Sequence, residues 1–349
     1  MKYDAFLLVS FGGPESTEDV MPFLENVLRG RNVPRERMLA VAEHYYRFGG
    51  KSPINDQNRA LVGALRREFD EHGPNLPIYW GNRNWHPMLA ETLRQMKADG
   101  VKRALAFATS AYSSYSSCRQ YRENIAAAQA AAGEGAPVVD KLRVFHNHPL
   151  FVEANLEQVR VALDRIPAGR RSSARIAYTA HSIPLSLAES CGYQRQLTEV
   201  ARLVSSALGR EADPLVFQSR SGPASQPWLE PDILDHLRRI NAEGATDVVI
   251  APIGFVSDHM EVLYDLDTEA ANLCRELGLN LQRAATAGTH PKFVQMVREL
   301  VVERMGDSPE RAVVGAFPAN PDVCLVDCCP APMRPAATRQ NLTRFVAAT

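Results

Sequence analysis

The chain has 349 residues, of which 45% are hydrophobic and 23% are charged, and its formal net charge is −1. A single hydrophobic core rarely grows to this length, so two domains are predicted. The near-zero net charge argues against a nucleic-acid-binding protein, which needs a surplus of basic residues. The N-terminal residues lack the pattern of a signal peptide, and no apolar run approaches the roughly 20 residues that span a bilayer. We therefore expect a cytoplasmic protein without a membrane helix.

Strands and helices alternate along the chain. Apolar runs predicted as strands cover residues 5–10, 77–80, 103–109 and 141–145 in the first half, and residues 174–179, 214–218, 247–253 and 280–285 in the second. Helical segments separate them, and this alternation predicts parallel sheets with right-handed crossovers. We predict an α/β protein with two doubly wound domains, residues 1–168 and 169–306, whose last helix packs back on the first domain. Residues 307–349 are predicted to form a C-terminal extension.

The polar residues that follow the predicted strands are the first candidates for a binding site, because ligands of such folds bind beyond the carboxyl ends of the strands. His181 follows one strand and Gln218 the next. A lone histidine at a strand end is more often structural than functional. Its pKa near neutrality nevertheless suits proton transfer or metal binding.

An acidic segment follows the strand at residues 247–253. Ser257 or Asp258 is predicted to start a helix, with Glu261 completing a capping box. Glu261, Asp265 and Glu269 are spaced by four residues, which places three like charges on one helix face at a small cost in stability. No lysine or arginine occurs between residues 240 and 274. The acidic face is therefore either solvated or a path for cations, and His181 near it favours a histidine–carboxylate cleft.

The glycine turns at residues 12–13 and 49–50 match neither the dinucleotide fingerprint nor the Walker loop, so no nucleotide is expected. Arg29 and Arg31 lie in a basic connector that is either a solvated loop or a clamp for ligand carboxylates.

Three of the six cysteines, Cys324, Cys328 and Cys329, lie near the C-terminus. Their spacing does not match a zinc finger. They are either free thiols or ligands of an iron–sulfur cluster, which would need a fourth thiolate, and Cys118 is the natural candidate.

Several segments resemble the ferrochelatase family, and most closely the coproporphyrin ferrochelatases of actinobacterial type. They cover most of the chain from residue 5 to residue 271 in the family's order, and they read LLVSFGGPES, FLENVLRGRNVP, HYYRFGGKSPIN, GNRNWHP, TSAYSSYSSC, TAHSIP, QSRSGPASQPWLEPD and PIGFVSDHMEVLYDLDTEA. The resemblance implies two Rossmann-like domains, each a parallel four-stranded sheet flanked by helices, with a porphyrin cleft between them. It also implies a π-type widening of the acidic helix.

The activity implied by the resemblance is insertion of Fe(II) into coproporphyrin III, or into protoporphyrin, without a nucleotide. His181 would accept pyrrole protons and bind iron, together with Glu261, and Asp265 and Glu269 would continue the carboxylate line. Phe11 stands where some relatives carry a tyrosine that ligates the product iron. The family contacts to the propionates map onto Ser52, Tyr121, Arg29, Arg31 and Tyr45.

Some relatives hold a [2Fe-2S] cluster, and the resemblance therefore implies one on Cys118, Cys324, Cys328 and Cys329. Transient hand-off to neighbouring haem-pathway enzymes and a monomeric state are further expectations. Two alternatives to the iron chelatase are a cobalt chelatase of the same architecture, acting on a precorrin-type ring, and a haem or tetrapyrrole carrier without catalysis.

Overall fold

The computed structural model describes residues 2–30, 33–222, 225–306 and 310–332. Its first half contains a four-stranded sheet in the order β2-β1-β3-β4, and all three strand pairs are parallel. The strands are β1 (Ala5–Ser10), β2 (Ile78–Asn82), β3 (Arg103–Ala108) and β4 (Val138–Lys141). The central strand β1 is buried along its whole length, which explains why its sequence is a continuous apolar run.

The helices of this half are α1 (Val20–Val27), α2 (Arg35–Tyr46), α3 (Ile54–His72), α4 (Leu89–Ala98), α5 (Gln120–Ala132) and α6 (Pro149–Asp164). A π-helical turn, Tyr115–Arg119, precedes α5. Helix α6 leads to the second half, and His148 caps its N-terminus by accepting the amide proton of Leu150.

The second half repeats the plan with a parallel sheet in the order β6-β5-β7-β8. Its strands are β5 (Arg175–His181), β6 (Val216–Gln218), β7 (Asp247–Ala251) and β8 (Asn280–Arg283). Its helices are α7 (Leu185–Glu189), α8 (Tyr193–Ala207), α9 (Ile233–Ala242), α10 (Met260–Tyr264), α11 (Ala271–Leu277) and α12 (Pro291–Met305). The predicted α/β fold with two parallel four-stranded sheets is confirmed.

The predicted fourth strand at residues 141–145 is wrong, because β4 covers Val138–Lys141 and ends where the prediction began. Residues 142–145 form no strand, although Leu142, Val144 and Phe145 are buried. Arg143 is buried with them and pairs its guanidinium with Glu303 at 2.7 Å. The apolar run thus reflects a buried connection rather than a strand.

One apolar cluster runs through both halves, and it includes side chains of α3, α6 and α12. Helix α12 packs against α6 and α3. The part of the extension that the structure describes also touches both halves. The amide of Val314 donates to the carbonyl of Asn147 at 2.9 Å, and the amide of Ala316 donates to Glu199 at 2.7 Å.

The domain boundary near residue 168 stays a prediction. None of the helices in the described ranges is long and apolar enough to span a membrane.

Candidate active site

The carboxyl ends of β5, β6 and β7 bring the predicted histidine and the acidic helix together. His181 is the last residue of β5 and pairs with Gln218 at the end of β6. The chain leaving β7 passes so close to β5 that a Cβ atom on Gly254 would lie 2.5 Å from the Cβ of Ala180. Only glycine permits this approach, which brings the start of α10 next to His181.

His181 and Glu261 form an ion pair in this cleft. The distance from Nε2 of His181 to Oε2 of Glu261 is 3.6 Å, and half of the Glu261 side chain is exposed to solvent. Nδ1 of His181 faces the carbonyl oxygen of Ser182. Burial opposes the charged imidazolium, but the Glu261 charge and these hydrogen bonds prevail and raise the pKa of His181 to about 9. Burial likewise opposes the Glu261 carboxylate, but His181 lowers the pKa of Glu261 to about 2.

The predicted capping box is wrong, because neither Ser257 nor Asp258 caps α10. The N-cap is His259, whose Nδ1 accepts the amide proton of Glu261 at 3.2 Å. Burial lowers the pKa of His259, which keeps the ring neutral and its nitrogen free to accept. Since the cap is supplied by His259, the Glu261 carboxylate is available to His181.

A distant arginine supports the outer side of the acidic segment. Arg283, at the end of β8, contacts Asp258 at 3.0 Å and Asp267 at 2.6 Å. The sequence contains no cation near these carboxylates along the chain, so this support could not be seen from spacing. Asp258 and Asp267 are neutralised, whereas no salt bridge is found for Asp265 or Glu269 among the described residues.

The helix widens at its middle, where Asp265–Ala270 is π-helical, as the family resemblance implied. Asp265 begins this segment and accepts a hydrogen bond from the hydroxyl of Ser219. Burial and the charges of Glu261 and Glu269 outweigh that bond and raise the pKa of Asp265 to about 7. Burial also raises the pKa of Glu269, with Asp232 adding to the effect. The column therefore holds carboxylates of unequal acidity, from Glu261 to Glu269.

Helix α2 of the first half lies across from this column. The ring of His44 stacks on the ring of Tyr264 with centroids 3.6 Å apart, and Arg47 lies 5.8 Å from the centroid of the same Tyr264 ring. Burial, with a contribution from the Glu261 charge, raises the pKa of Tyr45 well above its usual range. The ring of Tyr45 packs against Phe23, with the two centroids 5.8 Å apart.

Two of the other predicted substrate contacts, Ser52 and Tyr121, are buried side chains of the first half. Ser52 is buried beside Gly13, and its amide donates to the carbonyl of Pro14. Tyr121 is buried under Arg83, whose guanidinium lies 4.5 Å from the Tyr121 ring centroid.

Arg29 lines a surface groove of about 530 Å³ on the outer side of α1. Arg31 lies outside the described residues. The propionate roles of Ser52, Tyr121, Arg29, Arg31 and Tyr45 stay predictions.

Arg83 also lies 5.6 Å from the ring of Phe11, so one guanidinium contacts both aromatic rings. Sequence reasoning missed Ser219. Gln218 and Ser219 reach Asp265 from the end of β6. Their position after a strand, within the segment QSRSGP, was the available signal, and Gln218 alone was singled out.

The predicted [2Fe-2S] cluster on Cys118, Cys324, Cys328 and Cys329 is wrong. In the described ranges, no group of three or more cysteine, histidine or carboxylate side chains is arranged to hold a metal ion. The sulfurs of Cys328 and Cys329 lie 3.6 Å apart, and all four cysteines are free thiols. A hydrogen bond with Cys324, together with burial, raises the pKa of the Cys118 thiol, and burial raises that of Cys329. The same hydrogen bond lowers the pKa of the Cys324 thiol. A cluster needs four thiolates brought together, and the described residues contain no such arrangement.

Comparison with known proteins agrees with the geometry. A relative in Rhodopirellula baltica named ferrochelatase is 59% identical over 328 residues, which cover 94% of this chain and 93% of the relative. A coproporphyrin III ferrochelatase of Streptomyces coelicolor is 54% identical over 358 residues and covers 96% of both chains. The solved structure of SirB from Bacillus subtilis with Fe3+ is 12% identical with a TM-score of 0.55, covering 88% of this chain and 98% of that one, which shows a shared fold. The family model described as ferrochelatase matches residues 3–305. The chain therefore belongs to the ferrochelatase family.

Proposed function

We propose that this protein inserts Fe(II) into coproporphyrin III to give iron-coproporphyrin in haem biosynthesis. The observation that carries the proposal is the ion pair of His181 and Glu261, 3.6 Å apart, with Asp265 and Glu269 continuing along the same helix. Insertion requires acceptors for two pyrrole protons and oxygen ligands for a divalent cation on its way to the macrocycle. This cleft supplies both.

The ion pair defines an order for the proton transfers. At neutral pH His181 carries a proton and Glu261 is ionised, because their pKa values are about 9 and about 2. The carboxylate of Glu261 is therefore the group ready to accept the first pyrrole proton. Once Glu261 is neutral, the charge that holds the proton on His181 is gone. The imidazolium then releases its proton to solvent, and the neutral ring accepts the second pyrrole proton.

The carboxylates of Asp265 and Glu269 suit the delivery of the metal. Iron(II) binds carboxylate oxygen without needing a thiolate. Asp265 has a pKa of about 7, so it exchanges a proton for a cation at little cost near neutral pH. His181 supplies a nitrogen ligand beside this line, 3.6 Å from Glu261, whereas Nδ1 of His259 accepts the capping amide of α10. His181 is also the axial ligand of choice, since Phe11 offers no ligating atom.

The choice of coproporphyrin rests on the relatives that carry that name, because the propionate contacts are predictions. Residues 1–168 and 169–306 would act as the two domains that enclose the ring. Action in the cytoplasm and hand-off of the product to neighbouring haem-pathway enzymes remain part of this proposal.

The decisive experiment is an anaerobic assay of the purified protein with Fe(II) and Co(II), each offered with coproporphyrin III, protoporphyrin IX and a precorrin-type ring. We expect turnover with Fe(II) and coproporphyrin III, followed as loss of the free-porphyrin spectrum. Turnover of Co(II) on the precorrin-type ring alone would identify a cobalt chelatase instead. Stoichiometric binding without turnover would identify a carrier.

The matched variant is His181→Ala. We expect it to bind coproporphyrin III with an unchanged Kd and to lose metal insertion. Wild-type turnover by His181→Ala would show that this histidine is not a proton acceptor.

A further inference from the structure

Ser219 has a backbone conformation that serine rarely adopts. Its φ is 63°, and among the described residues other than glycine only Cys329 shares a positive φ. In this left-handed region of backbone conformation the Cβ atom lies too close to the following carbonyl oxygen, and glycine, which has no Cβ atom, would avoid that strain. Strained residues of this kind persist where the surrounding structure determines them, and they cluster at functional sites.

The strained backbone aims the Ser219 side chain at the acidic column. Ser219 follows β6 directly, and its hydroxyl donates to Oδ2 of Asp265. The preceding residue, Gln218, is buried, and its Nε2 lies 3.4 Å from the same carboxylate oxygen and 3.4 Å from the carbonyl oxygen of Glu261. Two consecutive residues at one strand end therefore bind the turn on which the π-helical segment begins.

These contacts oppose the forces that would turn Asp265 away. Its carboxylate is repelled by Glu261 and by Glu269, and among the described residues it forms no salt bridge with a lysine or arginine. The π-helical widening also disturbs the regular backbone pattern near Glu261, where the Gln218 amide contacts a carbonyl. The Ser219 hydroxyl and the more distant Gln218 amide both donate to Oδ2 of Asp265, and the hydroxyl is the closer donor.

We propose that Ser219 is a positioning residue that holds the Asp265 carboxylate in line between Glu261 and Glu269 for the incoming divalent metal. The proposal rests on the proposed iron insertion. It explains why a serine occupies a backbone position that glycine would occupy without strain. Gln218 supports the same turn, and Ser219 sets the orientation of the carboxylate itself.

The test compares Ser219→Gly, Ser219→Ala and Ser219→Asn by steady-state insertion of Fe(II) into coproporphyrin III. We expect Ser219→Gly to raise KM for Fe(II) at least fivefold with KM for coproporphyrin III unchanged, and to melt at or above the wild-type Tm. Ser219→Ala should show the same KM change with a lower Tm. Asparagine tolerates this backbone region and keeps a hydrogen-bond donor. Ser219→Asn should therefore have a KM for Fe(II) between those of the wild type and Ser219→Gly.

The control is Ser205→Ala, which removes a buried hydroxyl bonded to Tyr178 in the same half of the protein. It should lower Tm without changing KM for Fe(II). A wild-type KM for Fe(II) in Ser219→Gly, or equal changes in both KM values, would overturn the positioning role. Failure of the wild-type protein to insert iron would instead overturn the proposed function, so the two failures are distinguishable.

Discussion

Replacement of Glu261 by glutamine tests the ion pair at the centre of the site, because it keeps the shape of the side chain and removes its charge. The pKa of His181 is raised from the model-compound value of 6.5 to about 9. At 1.36 kcal/mol per pKa unit this rise corresponds to about 3.4 kcal/mol, which is the net of the opposing cost of burial, the attraction of Glu261, and the smaller effects of Ser182 and Asp265. Half of the Glu261 side chain is exposed, so solvent screening reduces this coupling. We expect Glu261→Gln to lower the pKa of His181 by about 1 to 2 units.

The assay is a pH titration of the histidine ring signals by NMR, with His181→Gln identifying the resonance among nine histidines. The free energy of unfolding should depend on pH in the way that this raised pKa requires. The pKa of His181 is raised in the folded state, so its stabilisation is complete below about pH 6.5 and is lost as the pH rises through 9. Glu261→Gln should therefore destabilise the protein more at pH 6.5 than at pH 10. A His181 pKa below 7 in the wild-type protein, or the same value in both proteins, would refute the ion pair and the order of proton transfers.

Three further predictions concern the support of the site. The pKa of Asp265 is raised to about 7 in the folded state, so ionisation of this carboxyl lowers the free energy of unfolding as the pH rises from 3.8 to 7. We therefore expect the free energy of unfolding of Asp265→Asn, measured in urea, to exceed that of the wild type by about 1 to 2 kcal/mol at pH 8 but not at pH 4. Arg283→Met should leave Asp267 without its partner at 2.6 Å and lower the free energy of unfolding by about 2 to 4 kcal/mol. A loss below about 0.5 kcal/mol would show that this salt bridge does not stabilise the acidic segment. Gly315 has a φ of 84°, and a Cβ atom there would lie 2.2 Å from Oε1 of Glu199. Gly315→Ala should therefore release the C-terminal extension and increase the rate of its limited proteolysis. An unchanged rate of proteolysis would contradict this role of Gly315.

The sequence predicted the architecture well because the central strands of both sheets are buried on both faces. β1 reads as a continuous apolar run, and β5 and β7 are mostly apolar, with Thr179 inside β5 and Asp247 at the start of β7. A buried parallel strand produces that pattern. The same pattern failed at residues 141–145, where an irregular connection is buried equally deeply. An apolar run reports burial and does not report backbone hydrogen bonding, so it could not separate the two.

The candidate site was predictable where it depends on position along one element and not where it depends on packing between elements. The strand-end location of His181 and the spacing of Glu261, Asp265 and Glu269 were visible in the sequence. The resemblance added the π-helical widening, which spacing alone did not. The N-cap role of His259 was not visible, because serine or aspartate is the usual cap and both precede it. The cysteines show the opposite error, since their number suggested ligation that the packing does not support.

The distribution of positive charge around the acidic segment explains how the protein keeps an unneutralised column without unfolding. Arg283 pairs with Asp258 and Asp267. The salt bridges of Arg283 therefore engage carboxylates outside the column. Within the column Glu261 pairs with His181, and Asp265 and Glu269 are left to hydrogen bonds and solvent. On the proposed path, a lysine or arginine among the column residues would occupy positions that an incoming divalent metal would use. The like-charge repulsion along the column would then favour metal binding there, while Arg283 stabilises the same segment from its outer side.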